Sequence, residues 1–266
     1  MSDTSAEELG SFFKYFKGPI VQAPRVEDLP PETVIQAFEQ VARARRSVRL
    51  FDGVAVPDDV LMKCLDLALL APNSSNLQTW EFHVLKDQKL REAYNEALLS
   101  QPAAKTCGSL IVVIARTGKW REHARLMAEK LRADGAPEKS LEYYVKLVPL
   151  IYDNGFMGLK GLFKKVYFWA RGLKTPTPRE PTNSAEVKTW AVKSAALGCE
   201  NLMLALRAYG YDSCPMEGLD STRLRKLMRL PSDAVIVMGI AAGKRAPGGV
   251  YGPQIRFERD RFVKEL

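Results

Sequence analysis

The chain predicts a fold that mixes α-helices with a small β-sheet, on three observations. Apolar residues recur at helical spacing in three long stretches. One short segment alternates apolar and polar residues, and two others are continuous apolar runs. The 266 residues, 46% hydrophobic and 26% charged, supply enough apolar material for a real core. That length fits one domain, or one domain with a large insertion.

The elements follow in order. Residues 1–30 read as an arm, where Phe12, Phe13, Tyr15 and Phe16 cluster around Lys14 and Lys17 and need a surface on a partner subunit or on their own. Residues 31–266 then form a single domain. Pro30-Pro31 opens a helix along which Val34, Ile35, Phe38, Val41 and Ala42 repeat, ending near Ala44. A second helix starts after Pro57, carries Val60, Leu61, Cys64, Leu65, Ala68 and Leu69 on one stripe, and stops at Pro72. Thr79 to Leu85 alternates as a half-buried strand, and Asp87 caps a short helix carrying Leu90, Tyr94, Ala97 and Leu98. The β-branched run Leu110–Ile114 reads as a buried strand. Residues 116–182 lack a simple rhythm and form an insertion of two or three helices. Asn183, with Glu186 three residues on, caps the longest helix, which runs to Tyr209 through small residues at Ala195, Ala196 and Gly198 that let another helix approach. Gly210 ends it, a short extension Tyr211–Cys214 follows, Ala234 to Ala241 is another buried strand, and the charged tail from Val250 runs extended over a neighbour.

The formal net charge of +8 favours anionic partners but is spread along the chain with acids interspersed, which fits a basic, mixed surface. None of the four cysteines forms a C-x-x-C pair, and two histidines are too few for a zinc site. Cys64 and Cys199 fall on helical apolar stripes, as buried thiols of a cytoplasmic protein do. The first residues carry no basic-then-apolar signal, and no uncharged apolar run approaches a membrane span.

Four segments hold candidate chemistry. Arg45, Arg46, Ser47 and Arg49 put three guanidiniums and a hydroxyl within five residues, a grip for a phosphate. Pro72, Asn73, Ser74, Asn76 and Gln78 fill a helix-to-strand turn with short amides and hydroxyls able to bond the edge of a planar heterocycle. Glu217 and Gly218 close Pro-Met-Glu-Gly after the long helix, where glycine lets backbone N–H groups near a ligand. Arg256, with Gln254, lies in the tail. Each has a plainer reading taken singly: a solvated helix end, a turn bonding its own backbone, a surface turn, a solvated tail.

The order and spacing of the four are far more specific. R-R-S-V-R-x-F, then A-P-N-S-S-N-x-Q-x-W, then P-M-E-G after a small-residue helix, then a basic residue past the last core strand, resembles the nitroreductase family over residues 32–115 and 184–262. The resemblance implies an α+β fold with a mixed, mainly antiparallel central sheet flanked by helices. It implies an intertwined homodimer with two FMN molecules at its interface. Arg45, Arg46, Ser47, Arg49 and Arg256 would hold the FMN phosphate and ribityl region. Pro72, Asn73, Ser74 and Asn76 would reach the flavin from the other subunit with Gln78 nearby, and Glu217 and Gly218 would lie beside its reactive edge. The implied activity is hydride transfer from NAD(P)H through flavin N5 to an electron-poor acceptor, a nitroaromatic, quinone or similar molecule, by a ping-pong cycle needing no catalytic side chain and no metal. Two positions depart from the pattern. Where members carry Asn and Lys before the second strand, Gln101 and Lys105 stand as substitutes. The tail reads Gln254-Ile255-Arg256 rather than Lys-x-Arg, one positive charge fewer at the phosphate.

The second half of the insertion, Phe156 to Lys174, has five cations and no acid, with Leu159, Leu162, Phe163, Val166, Ala170 and Leu173 on one helical face. The preferred reading is a lid over the flavin. The others are a helix packed on the domain with solvated lysines and, not favoured, a membrane-surface helix. Two alternatives to the main function stand. One is another reaction on the same scaffold, such as reductive dehalogenation, ranked lower because Glu142 is followed by Lys146 where a Tyr is expected. The other is a non-enzymatic basic protein binding nucleic acid or membrane, disfavoured because no helix outside 156–174 has a dense basic stripe with exposed aromatics.

Overall fold

The structure is a computed structural model, and it describes residues 31–266; the expected N-terminal arm lies outside the described residues. Helices α1 (Pro31–Ala44) and α2 (Asp58–Leu69) lead to strand β1 (Trp80–Val84), short helices α3 (Arg91–Ala97) and α4 (Pro102–Thr106), and strand β2 (Ser109–Arg116). The stretch that follows holds α5 (Trp120–Ala133), α6 (Glu138–Glu142), a π-turn at Tyr143–Leu147, α7 (Val148–Tyr152) and α8 (Leu159–Arg171). The long α9 (Ser184–Ala208), β3 (Asp212–Met216), α10 (Ser221–Leu227) and β4 (Ala234–Gly243) complete the order.

The four strands form one sheet in the order β1-β2-β4-β3, and all three pairings are antiparallel. The one parallel pairing among the described residues is the single bridge Ser47↔Ser213, where the chain after α1 runs beside β3. The sheet is the middle of three layers. Ile111 and Val113 of β2 and Ile240 of β4 pack on α2 and α9. Their alternates Leu110 and Ala241 face α3, α4 and α10 with Tyr94, Leu98 and Leu224. Each such fully buried Leu or Ile contributes roughly 1.5–3 kcal/mol, and both faces being covered explains the continuous apolar runs. A bulge between Val113 and Ile114 skips Val237 on β4.

Local chemistry sets the boundaries. Asn183 Oδ1 accepts from Glu186 N at 3.0 Å, and the Glu186 carboxylate reaches back to Thr182 N, so the predicted cap is present with its return bond one residue earlier. Gly210 ends the helix at φ +78, with Tyr211 N donating to Leu206 O at 2.8 Å. Gly198 meets Phe82 and the Ala68 carbonyl, the close approach of α2 that its small side chain anticipates.

One strand is not legible in the sequence. Tyr211–Cys214 reads there as an extension and Pro215 as the start of a turn, but Asp212–Met216 is strand β3. Proline is tolerated because β3 is an edge strand, where a missing N–H costs no ladder bond. Asp212 at its start is 4% exposed at the side chain and pairs with Arg207 at 2.7 Å and Arg245 at 2.8 Å. Among the described residues no helix is long and apolar enough to cross a membrane.

Candidate functional site

After α1 the chain alternates as it passes β3. Val48 is fully buried, and its N–H donates to Ser213 O at 3.1 Å; Arg49 N donates to Gly249 O at 2.6 Å. With the backbone pinned on both sides, Arg45, Arg46, Ser47 and Arg49 line a cleft of about 240 Å³ closed by Val250–Arg256. Arg46 donates to Gly252 O at 2.6 Å and so ties the tail to the cleft. Arg256 lies in the same lining, exposed, as expected of a residue joining the cluster from the tail. Burial pushes the nearby Cys214 thiol up, and the positive charges of Arg49 and Arg45 partly oppose that shift.

Glu217 and Gly218 follow β3 on the same sheet edge and are exposed. Gln101 Nε2 donates to Gly218 O at 2.7 Å, so the position standing for the family's Asn does reach the Pro-Met-Glu-Gly turn. Lys105 is not brought to it. It lies exposed among Gln88, Arg91, Glu92 and Asn95 in a separate hollow.

The Ala71–Gln78 loop forms a different centre. Ser75, Asn76 and Gln78 hold positive φ of 54, 49 and 47, a tight path that Asn73 stabilises by accepting from Gln78 N at 2.7 Å. The insertion clamps it from outside: Ser74 Oγ bonds Tyr152 OH at 2.7 Å, Ser75 Oγ bonds Tyr143 OH at 2.8 Å, and Tyr144 OH donates to Ser75 O at 3.1 Å. His123 Nδ1 lies 2.6 Å from Leu77 O. Burial pushes the Tyr144 phenol up to about 12 and raises Tyr152 despite its bond with Ser74, so both stay neutral phenols. Sequence reasoning misses these partners; the only signal is three tyrosines within ten residues. The cavity beside Ser74, walled by Trp120, Tyr152, Trp190 and Arg116, has only about 10 Å³, room for about one water. Replacing Tyr143 and Tyr152 together by Phe should lower stability by about 1–3 kcal/mol, since each bond contributes about 1 kcal/mol; a urea melt matching the wild type would remove the clamp's role.

The two centres are far apart on one chain. The Ser74 loop meets the sheet at the Trp80–Ala115 end, while Ser47 sits beside Ser213 and Ala242 at the opposite end and edge. Trp80 and Ser213 are three inter-strand gaps and about six residues of strand apart, roughly 25 Å across the sheet, and Ser47 lies one step beyond β3.

The four cysteines are buried and unpaired, and burial pushes Cys64 up to about 11 and Cys199 up to about 12, which keeps them protonated thiols. Glu142, the acid weighed for dehalogenation, is ion-paired with Lys146.

A family model described as the nitroreductase family matches residues 42–244. The protein DrgA of Synechocystis sp. is 32% identical over 213 residues, covering 77% of this chain and 83% of its own. The 4-nitrobenzoate reductase of Pseudomonas putida is 26% identical over 77% of this chain and 84% of its own, and the CLA biosynthesis enone reductase of Lactiplantibacillus plantarum is 25% identical over 76% and 82%. Among solved structures, a nitroreductase-type protein of Exiguobacterium sibiricum in complex with FMN has a TM-score of 0.65 at 20% identity, over 93% of this chain and all of that one. With the family model spanning most of the chain and a relative 32% identical over 77% of it, this protein belongs to the nitroreductase family.

Proposed function

We propose that this protein is an FMN-dependent oxidoreductase that takes electrons from NAD(P)H and passes them to an electron-poor small molecule, a nitroaromatic, quinone or similar acceptor, and that it works as a cytoplasmic homodimer. The arginine cleft carries the reading. Forked cationic donors from Arg45, Arg46, Arg49 and Arg256 with the Ser47 hydroxyl suit a phosphate monoester far better than a neutral ligand. The relatives include reductases of 4-nitrobenzoate and of an enone, and one neighbour was solved with FMN.

When bound, FMN supplies the hydride chemistry at N5. The chain's own residues bind and orient: the arginines and Ser47 hold the phosphate and ribityl end, and Glu217 and Gly218 offer exposed backbone for the reactive edge, fixed by Gln101. Pro72, Asn73, Ser74, Asn76 and Gln78 contact the ring from a second chain. Lys105 is the weakest member of this set, because its side chain faces a separate hollow.

The homodimer rests on two supports. The two centres stand at opposite ends and edges of the sheet, which supports a site that unites them across two chains. The outer side of the α1, α2 and α9 layer leaves Phe38 58%, Leu70 77% and Leu197 48% exposed, apolar surface that a partner covers.

The purified protein should be yellow, with about one FMN per chain, since a symmetric dimer has two equivalent sites, and NAD(P)H should bleach it under nitrogen. A colourless protein that also fails to take up added FMN sinks the proposal.

A further inference from the structure

Helix α8 is inside out. Leu159, Leu162, Phe163, Val166 and Trp169 share one face, and their exposures run from 58% to 64%. Phe156 and Met157 before it, at 83% and 84%, and Leu173 after it, at 69%, extend the patch. The opposite face, with Gly161, Lys164 and Phe168, is the buried one. A surface helix ordinarily turns its apolar stripe to the core; α8 packs on its domain through the opposite face and leaves the stripe outward.

Packing holds the apolar face outward. A Cβ on Gly161 would lie 2.0 Å from Thr182 O, so the α8 backbone rests directly on the chain below it. Lys164 is 5% exposed, and its ammonium donates to Ile151 O at 2.6 Å and Pro181 O at 3.1 Å. Turning the helix over would drive a Leu or Phe into the space that only glycine fits, and would take those two carbonyls from their donor.

Cations border the exposed face: Lys174 and Lys160 on one side, the latter ion-paired with Asp153 at 2.8 Å, and Lys165 on the other, with no acid in the sequence from 154 to 179. The patch from Phe156 to Leu173 is about 25 Å long at 1.5 Å per residue, more than a flavin ring needs for cover. A contact that set α8 against α8 of a second copy would bring lysine against lysine.

We propose that α8 and its flanking turns dock on an anionic lipid bilayer, lying in the plane of the surface. Leu162, Phe163, Val166 and Trp169 enter the acyl boundary, and the lysines sit at the level of the lipid phosphates. Within one chain no residue of 156–174 lines the arginine cleft, and cover of a second chain's flavin is one of the outcomes the test separates.

The test is flotation of the full-length protein with phosphatidylglycerol–phosphatidylcholine vesicles and with phosphatidylcholine alone, with tryptophan emission recorded in parallel. The expected result is binding to the anionic vesicles that weakens with salt, with a blue shift that Trp169→Phe removes. Leu162→Glu with Phe163→Glu, and separately Lys165→Glu with Lys174→Glu, should each reduce binding about tenfold or more at unchanged melting temperature. No binding to anionic vesicles at low salt overturns the proposal, as does equal binding by the wild type and both double variants. A fall in sedimenting mass for Leu162→Glu with Phe163→Glu assigns the face to a second copy instead. Weaker FMN affinity for that variant in the absence of lipid assigns it to a flavin lid. Binding that appears only after residues 1–30 are removed assigns it to that segment.

Discussion

Alanine at both Arg45 and Arg49 is expected to leave the protein folded and colourless. Neither guanidinium is required by the core: the adjacent buried anchor is Val48, and the backbone bonds to Ser213 and Gly249 persist without the two side chains. A hydrogen bond from an ionised donor contributes about 1.5–3 kcal/mol, and two of them on one phosphate amount to a loss of FMN affinity of at least about a hundredfold. Arg46 is left in place because it also binds Gly252 O and shapes the cleft. Lysine at both positions should recover only part of the affinity, since a point charge replaces a forked donor. The measurement is fluorescence titration of apoprotein with FMN, beside a thermal melt. A double alanine variant that retains its flavin places the phosphate elsewhere.

The second large effect is on stability. Arg116 ends β2 with its side chain 14% exposed, donating to both oxygens of Asp233 at 3.0 and 3.1 Å and also to Glu81. It thereby joins β1, β2 and the turn before β4, and Asp233 uses the same carboxylate to hold Gly118 N at 3.2 Å. Arg116→Ala leaves two half-buried carboxylates facing each other without their cation. Breaking a buried pair from one side costs about 3–5 kcal/mol; with Glu81 34% and Asp233 25% exposed at the side chain, about 2–4 kcal/mol is expected after solvent screening. For a chain of this size that lowers Tm by about 5–12 °C. Burial pushes both carboxyls up, but hydrogen bonds from Arg116, with His83 at Glu81 and Gly118 at Asp233, outweigh it and hold both below their ordinary values. Depressed carboxyl pKa values stabilise the fold above the unfolded-state values and lose that contribution as pH falls through the folded ones. The gap between wild type and Arg116→Ala should therefore be full at neutral pH and shrink below 4.5 and 3.8, the ordinary values of the two groups. A gap constant down to low pH would mean that the loss is one of packing alone.

Much of the architecture is written in local pattern. Apolar spacing placed α1, α2 and α9, and continuous runs placed β2 and β4, because burial leaves a pattern along the chain; the stretch 116–182, read as two or three helices, holds four, α5 to α8. Strand β3 left none: five residues with a proline have too little period to detect, and only an edge position beside β4 makes them a strand. The arginine cluster and the Pro-Met-Glu-Gly turn were visible as chemistry. Which tyrosines hold Ser74 and Ser75 was not, since the partners lie about 70 residues away and carry no motif.

Sequence by itself determined that this chain is a mixed helix-and-sheet protein with a cluster of arginines and a serine in the nitroreductase order, because element type and donor chemistry are properties of neighbouring residues. Tertiary structure alone decided that Gln101 rather than Lys105 meets Gly218, that the two candidate centres stand on opposite ends of the sheet, and which way α8 faces. An amphipathic pattern states that a helix has an apolar side but not what that side meets. Here a glycine on a carbonyl and a lysine between two more settled its direction, and those contacts exist only once distant segments are packed together.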